Sequence, residues 1–284
     1  MNHLDLSIVI VTYRSRDVID ACLIALERAL AGAPRLRAEV LLLDACSGDG
    51  VLDHVRSAFP RVDAVPLPRN GGFAYGVNRG IERSRGRHVL LLNPDALLGR
   101  DVLHQLVAHL DRHPLAAAVA PALVDSSGEP AISTQRFPSL RQEMIRQWEP
   151  LVGPLGWKEE TANTTGAVDW VSGACLLLRR DAIEQVGTLD EGYFLYWEET
   201  DWCRRARNQG WQIHHLPTVQ VVHIGGASAS ASGETVAKGR VARAYVDSRR
   251  RYFRKHHGAH VEVAVEGVHL VRRIVRRAKA WGAS

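Results

Sequence analysis

Three groups of residues in this chain have the types and spacing to do chemistry. The first is Asn93-Pro94-Asp95, which cuts short the apolar run Val89–Leu92. Pro94 has no N–H for a strand ladder and pushes Asn93 into extended geometry, so the chain leaves its sheet here. One carboxylate, Asp95, is thereby placed at the carboxyl end of a strand, the edge where open α/β sheets bind ligands. A helix cap explains an Asp in that position equally well. The second group is Glu198, Glu199 and Asp201 in YFLYWEETDWCRR. Carboxylates at a helix start are favoured by the helix dipole whatever else they do. Adjacent helical positions point in different directions, so one or two of the three can face a common site. The aromatic residues Tyr193, Phe194, Tyr196 and Trp197 suit stacking on a sugar face and suit a core as well. The third is His223, which closes the apolar strand of VVHIGG. Alone it reads as a structural histidine; beside Asp95 it would complete an oxygen-plus-imidazole pair suited to Mn²⁺.

A fourth feature is the glycine-rich turn Asn70–Gly80, NGGFAYGVNRG. Glycines at a strand-to-helix turn let backbone amides approach phosphate at a helix N-terminus. The spacing is not GxGxxG and no acidic residue follows at the dinucleotide-fold distance, so close helix packing is an equal explanation.

The elements that must position these residues follow from periodicity. Leu6–Val11, Glu39–Leu43, Val62–Val65 and Val89–Leu92 read as short strands, each running into a polar loop and separated by helical segments, the first over Asp17–Leu30. Four such units predict a parallel, doubly wound α/β sheet with its polar residues after the strands. Asp101–His113 reads as a helix and Ala116–Val124 as a strand, whereas Asp125–Asn163 reads as irregular. Asp169–Leu178 predicts a strand or strand–turn–strand, Glu198–Asn208 a helix and Val219–His223 a strand. Gly225–Gly233 reads as a loop or linker, and Thr235–His257 and Val261–Lys279 show helical spacing.

Composition narrows the function classes. The 284 residues are 46% hydrophobic and 24% charged, ordinary for a globular protein with ample core. The apolar runs fall far short of the roughly 20 residues that span a bilayer. MNHLDLSIVIV lacks the basic region and cleavage site of a signal peptide, and Cys22, Cys46, Cys175 and Cys203 lack zinc or disulfide spacing, so a cytoplasmic protein with reduced thiols is expected. Of the net charge of +5, residues 238–284 carry +10, with 13 Lys and Arg against 3 Asp and Glu, and residues 1–237 carry −5. Such a tail points to an anionic partner. Arg272, Arg273, Arg276, Arg277 and Lys279, interleaved with Val268, Leu270, Val271, Ile274 and Val275, spell a basic amphipathic helix suited to an anionic membrane surface. A helix packed on the domain or in a dimer is the alternative.

In chain order, SIVIVTYRS, LLDACSGD, NGGFAYGVNRG, LLNPDA, WVSGACLLLRR, LDEGYFLYWEETDWCRR and VVHIGG resemble the inverting family 2 glycosyltransferases over residues 6–226. Within that family the chain is most similar to rhamnosyltransferase-like members of bacterial cell-envelope polysaccharide assembly. The resemblance implies a GT-A fold, a Rossmann-like and mostly parallel central sheet flanked by helices, with the basic helical tail as an extension. Residues 1–226 would be the transferase domain, divided near residue 100 into nucleotide-sugar and acceptor halves, followed by a linker at 227–234 and the tail at 235–284. It implies that Thr12, Tyr13, Arg14 and Asp44 hold the base and ribose of a nucleotide-sugar, with Gly71 and Asn78 nearby. Asn93 and Asp95 align with the metal-binding DXD-type motif and His223 with a histidine that can complete the shell of Mn²⁺ or Mg²⁺. Glu199 aligns with the general base, and Asp201 would support the site or meet the acceptor. The implied donor is a dTDP- or UDP-sugar, dTDP-rhamnose first, and the implied acceptor a glycan or lipid-linked glycan. Residues 249–279 would meet an anionic membrane on its inner face, and a second copy of the chain is an admissible partner. Three positions depart from the family pattern: a single carboxylate in Asn93-Pro94-Asp95, Glu199 where Asp is usual, and Ala45 after Asp44. The competing reading is a non-catalytic nucleotide- or nucleic-acid-binding protein that uses the basic tail, thinly supported by Tyr245, Tyr252 and Phe253.

Overall fold

A computed structural model describes residues 4–152, 165–225 and 239–281. Strands β1 (Leu4–Thr12), β2 (Ala38–Asp44), β3 (Val62–Pro66) and β4 (Gly86–Leu92) pair in parallel in the order β3-β2-β1-β4. Between them lie α1 (Ile19–Gly32), α2 (Val51–Ala58) and α3 (Phe73–Arg83). This is the doubly wound half expected from the four strand–loop–helix units.

The strands are apolar on successive residues because both faces of the sheet are covered. Leu6, Ile8, Ile10, Leu42, Leu90 and Leu92 point into a core shared with α1, α2 and α4 (Val102–Arg112). Val9, Leu41, Leu43, Val89 and Leu91 point into a second core with α3, α6 (Arg180–Val186) and α7 (Glu198–Asn208).

Beyond β4 the sheet becomes mixed. A short β5 (Ala96–Leu98), then β6 (Ala116–Val124), β10 (Cys175–Arg179) and β11 (Gln212–His223) extend the order to β4-β10-β6-β11-β5. β10 runs antiparallel to both β4 and β6, while β11 is parallel to β6 and antiparallel to β5. A further short strand, β8 (Gly166–Val168), pairs with β11, and β7 (Thr134–Gln135) pairs with β9 (Trp170–Val171) in a separate ribbon.

Two expectations need correction. β11 is longer than Val219–His223, since its first half continues the ladder with β6 across a register shift between Leu216 and Gln220. The segment read as irregular contains a 13-residue helix, α5 (Leu140–Val152). Its partners lie in the tail: His269 bonds Glu143 at 2.9 Å and Arg272 donates to Gln147.

The tail forms α8 (Gly239–His257) and α9 (Ala259–Trp281). Tyr193, Trp197, Tyr252, Phe253 and Val265 build a third small core, with Leu140, Tyr196, Tyr245 and Val261 at its edge. The tail is thus packed on the loop that leads into α7. The linker expected at 227–234 lies outside the described residues.

Candidate active site

The sheet brings the carboxyl ends of β1, β2 and β4 side by side, and the polar residues that follow them form one latch after another. Thr12 Oγ1 donates to Asp44 Oδ1 at 3.0 Å, tying the last residues of β1 and β2 together. The Ser47 hydroxyl also donates to Asp44, the Ser47 amide donates to Asp44 Oδ2 at 3.0 Å, and the Arg14 amide donates to Ser47 Oγ at 2.8 Å. Thr12 and Asp44 are buried. Arg14 is exposed in the left-handed region at φ 52°, with its guanidinium 5.5 Å from the centre of the Tyr13 ring. Of this set, Ser47 escaped assignment from sequence; its place three residues after Asp44 in DACS is the signal, since Asp side chains bond the backbone of the turn they open.

Asn93, Asp95 and His223 meet. His223 ends β11 opposite Ala96, and the Ile224 amide donates to the Asp95 carbonyl at 3.1 Å. Both Asp95 Oδ1 and Asn93 Nδ2 lie 3.2 Å from His223 Nε2. A neutral imidazole can use Nε2 for only one of them, as a donor to the carboxylate or an acceptor from the amide. A cation shared by Asp95 and His223 would resolve that competition. The 3.2 Å separation is close to the edge of a six-coordinate shell with bonds of about 2.1 Å, and carboxylate plus imidazole suits Mn²⁺.

The turn between β9 and β10 joins this corner to α7. The Asn93 amide donates to Ala174 O at 2.9 Å, and the next amide back, Gly173, donates to Glu199 Oε1 at 3.4 Å. A Cβ on Gly173 would stand 3.7 Å from Glu199 Oε1 and from the Phe73 ring. Gly173 is thus a second residue that sequence reasoning left without a role. Among the described residues, Glu199 Oε2 and Glu198 Oε2 are buried with no hydrogen-bond partner. Burial raises both carboxyls above the ordinary glutamate range, and the neighbouring Glu199 raises Glu198 further. Tyr196 and Trp197, at φ 67° and 75°, hold two consecutive left-handed conformations just before α7. Side-chain-bearing residues adopt these at a cost and cluster at functional sites when they do.

Two expected site residues, Asp201 and Asn78, have other work. Asp201 is fully buried on the far side of α7 from Glu199. Although burial acts to raise its carboxyl, His256 at 2.7 Å, Lys255 at 2.8 Å and Arg205 at 2.8 Å hold it well below the usual range. It anchors α8 to α7 through Lys255 and His256. Asn78 is buried and clamps the loop between α6 and α7: its amide donates to Leu189 O at 2.9 Å and Glu191 Oε1 at 3.0 Å and accepts from the Leu189 N–H at 3.0 Å.

The glycine-rich turn serves packing. Gly72 sits at φ 91°, and a Cβ there would stand 2.1 Å from Phe194 O. A Cβ on Gly71 would strike the Tyr75 ring at 2.5 Å, while Gly76 and Gly80 let α3 lie on Val11 and Val9. The Gly72 and Phe73 amides donate to Asn70 Oδ1 and Phe194 O, so they do not point free toward a phosphate. Of the four aromatic residues, Tyr193 and Trp197 are buried against α8, where Trp197 lies 5.1 Å from Tyr252; Phe194 remains at the surface.

The basic residues of α8 from Arg249 to Lys255 are also spent internally. Arg249 and Arg250 bond Glu266, Arg254 bonds Glu262, Arg251 bonds Asp190, and Lys255 bonds Asp190 and Asp201. A nucleic-acid surface there would have to break these pairs, and that reading is not supported.

Comparison with known proteins gives a consistent result. Residues 7–187 match the family described as glycosyl transferase family 2. Over 218 residues the chain is 33% identical to the N-acetylglucosaminyl-diphospho-decaprenol L-rhamnosyltransferase of Mycobacterium tuberculosis, covering 70% of this chain and 71% of that protein. It is 23% identical over 181 residues to the dTDP-rhamnosyl transferase RfbF of Shigella flexneri, covering 61% of this chain and 56% of that one. Among solved structures, GalNAc-T7 crystallised with UDP, GalNAc and Mn²⁺ superposes with a TM-score of 0.58 at 15% identity. That match covers 78% of this chain and 44% of GalNAc-T7, and it is a likeness of fold. Glu199 and His223 fall beyond the span of the family match, so their positions rest on the geometry above.

Proposed function

This chain belongs to glycosyl transferase family 2 and is a glycosyltransferase, and from that premise we propose that it moves rhamnose from dTDP-rhamnose to a hydroxyl of a lipid-linked envelope glycan, with inversion. The observation that carries the proposal is the convergence of Asp95 and His223 at the carboxyl end of β4, linked through the Gly173–Ala174 turn to the unpartnered oxygen of Glu199. The rhamnosyl donor is suggested by the names of the mycobacterial and Shigella relatives, and the lipid-linked acceptor by the mycobacterial one.

In this reading Thr12, Tyr13, Arg14 and Asp44 bind the base and ribose at the ends of β1 and β2. The latch through Ser47 holds that floor rigid before substrate arrives, so little ordering cost is left for binding. Asp95 and His223, with Asn93 beside them, would hold a divalent cation, whose chemistry there would be to neutralise charge on a leaving diphosphate. Glu199 Oε2 accepts the proton of the acceptor hydroxyl as that oxygen attacks the anomeric carbon. A single displacement inverts the centre and needs no nucleophilic side chain on the protein.

The test is a donor screen with dTDP-rhamnose, UDP-galactose, UDP-glucose, UDP-N-acetylglucosamine and GDP-mannose, each with Mn²⁺, Mg²⁺ or EDTA. The expected result is metal-dependent binding of dTDP-rhamnose that Asp95→Ala weakens at least ~10-fold. Binding that is indifferent to metal and to Asp95→Ala would sink the assigned roles of Asp95 and His223, and a different donor would sink rhamnose.

A lipid-linked acceptor places the enzyme at a membrane, and we propose that α9 supplies the contact. No described helix is long and apolar enough to cross a bilayer. Along α9, however, Val263, Leu270, Val271 and Ile274 are 44–69% exposed, with Arg273 exposed among them. An apolar stripe flanked by cations lies in an anionic interface. Flotation with phosphatidylglycerol vesicles is expected to carry the wild-type protein and to lose Leu270→Glu/Ile274→Glu; equal flotation of both would refute the contact.

A further inference from the structure

At the opposite end of β11 from His223 lies a cluster that plays no part in the proposed reaction. His214 is the third residue of the strand whose last is His223. It meets His109, in the last turn of α4, and His113, one turn further at the helix end. One ring nitrogen from each lies within 4.8 Å of the others, the one such grouping among the described residues. His109 and His214 are buried and His113 is partly so.

The hydrogen bonds around the cluster decide which nitrogens carry lone pairs. His113 Nδ1 lies 2.7 Å from the His109 carbonyl, which can only accept, so that nitrogen bears the proton and Nε2 is left as a donor of electrons. His214 Nε2 lies 2.9 Å from Gln212 Oε1, which protonates Nε2 and leaves Nδ1 as the lone-pair atom. That Nδ1 faces His109 Nε2 at 2.8 Å. One ring nitrogen of each histidine thus lies within reach of the others, His109 Nε2 gives its proton to His214 Nδ1 in the metal-free protein and would lose it to a metal, and two of the rings are fixed from behind by oxygen acceptors. Metal-bound histidines are held in this way. Burial together with His113, His214 and Arg112 holds His109 down to about 4, so its ring is neutral at physiological pH.

We propose that His109, His113 and His214 bind a late first-row divalent ion, zinc first, that pins the end of α4 to the start of β11. Three imidazoles with water in a fourth position suit zinc. Zn–N bonds of about 2.0–2.1 Å set tetrahedral ligands about 3.3 Å apart, so the His109–His214 pair needs to open by roughly half an ångström. The partial exposure of His113 provides the way in.

The experiment uses the full chain with Asp95→Ala in the background, so that the ion proposed for the transferase site does not report. After stripping with EDTA, the protein is titrated with Zn²⁺ by calorimetry and with Co²⁺ by visible absorption. The expected result is one equivalent of Zn²⁺, a raised melting temperature, and the intense visible bands of four-coordinate Co²⁺. His113→Ala, at the exposed ligand, abolishes the bands. Gln212→Ala keeps all three ligands but frees the His214 ring, and weakens binding by about 10–100-fold. If His113→Ala fails to fold, the Gln212 variant carries the test alone. No uptake, or uptake unaffected by these variants, would show three histidines sharing hydrogen bonds and nothing more.

Discussion

Glu199→Gln lowers kcat by about 10²–10⁴-fold, the usual worth of a positioned general base, and leaves the protein as stable as before or more so. The side chain keeps its shape and the Gly173 contact, losing only the capacity to take a proton. Because burial raises the Glu199 carboxyl, the basic form is present only above that raised value. The acid limb of the kcat/KM profile is therefore expected above the ordinary glutamate range near 4.3. Stability runs the opposite way. A carboxyl raised on folding contributes stability below its unfolded pKa and loses it as pH rises through the folded one. At pH 8 the neutral Gln is accordingly no worse than Glu, and its melting temperature is expected to match or exceed wild type. A variant that keeps full turnover, or whose lost activity tracks a lost melting temperature, would remove Glu199 from the role of base.

Asp201→Ala has the contrasting signature. It strands Arg205, Lys255 and His256 around an empty centre, and breaking a buried ion pair from one side costs about 3–5 kcal/mol. A large fall in melting temperature is expected, with turnover per folded molecule far less affected than in Glu199→Gln. The sign with pH also inverts. The Asp201 carboxyl is held low in the folded state, so its contribution is present above the unfolded value near 4 and is lost as pH falls toward the folded one. Asp190 is likewise held low: although burial raises it, bonds from Lys255 and Arg251 prevail. Wild type should therefore lose stability steeply below about pH 4 and Asp201→Ala less so. Parallel slopes in acid denaturation, or an Asp201→Ala protein of normal stability without turnover, would return Asp201 to the active site.

The two acids were indistinguishable in sequence because what separates them is not local. Both lie in one motif on the first turn of α7, and two of the three side chains that claim Asp201, Lys255 and His256, lie more than fifty residues on. The strands of the first hundred residues were legible because burial on both faces leaves unbroken apolar runs, and the loops after them carried Thr12, Asp44 and Asp95 to one edge. α5 was not, since its Glu143 and Gln147 find their partners in His269 and Arg272 of α9. The first half of β11 was hidden because its ladder with β6 shifts register between Leu216 and Gln220, across Pro217. The meeting of Asp95 with His223 was an expectation of resemblance alone; the register of β11 against β5 is what brings it about.

The docking of α8 on the loop before α7 also has a consequence for how the protein is made. A ribosome adds about 5–20 residues per second from the N-terminus. Asp201 and His256 are 55 positions apart, so the acid waits roughly 3–11 s after its own synthesis before its last partner exists. During that interval Asp201 has only Arg205, on its own helix, to meet its charge at a position destined to be buried. The first four strands and their helices can condense early, whereas the small core around Tyr193 and Trp197 is finished only when α8 arrives.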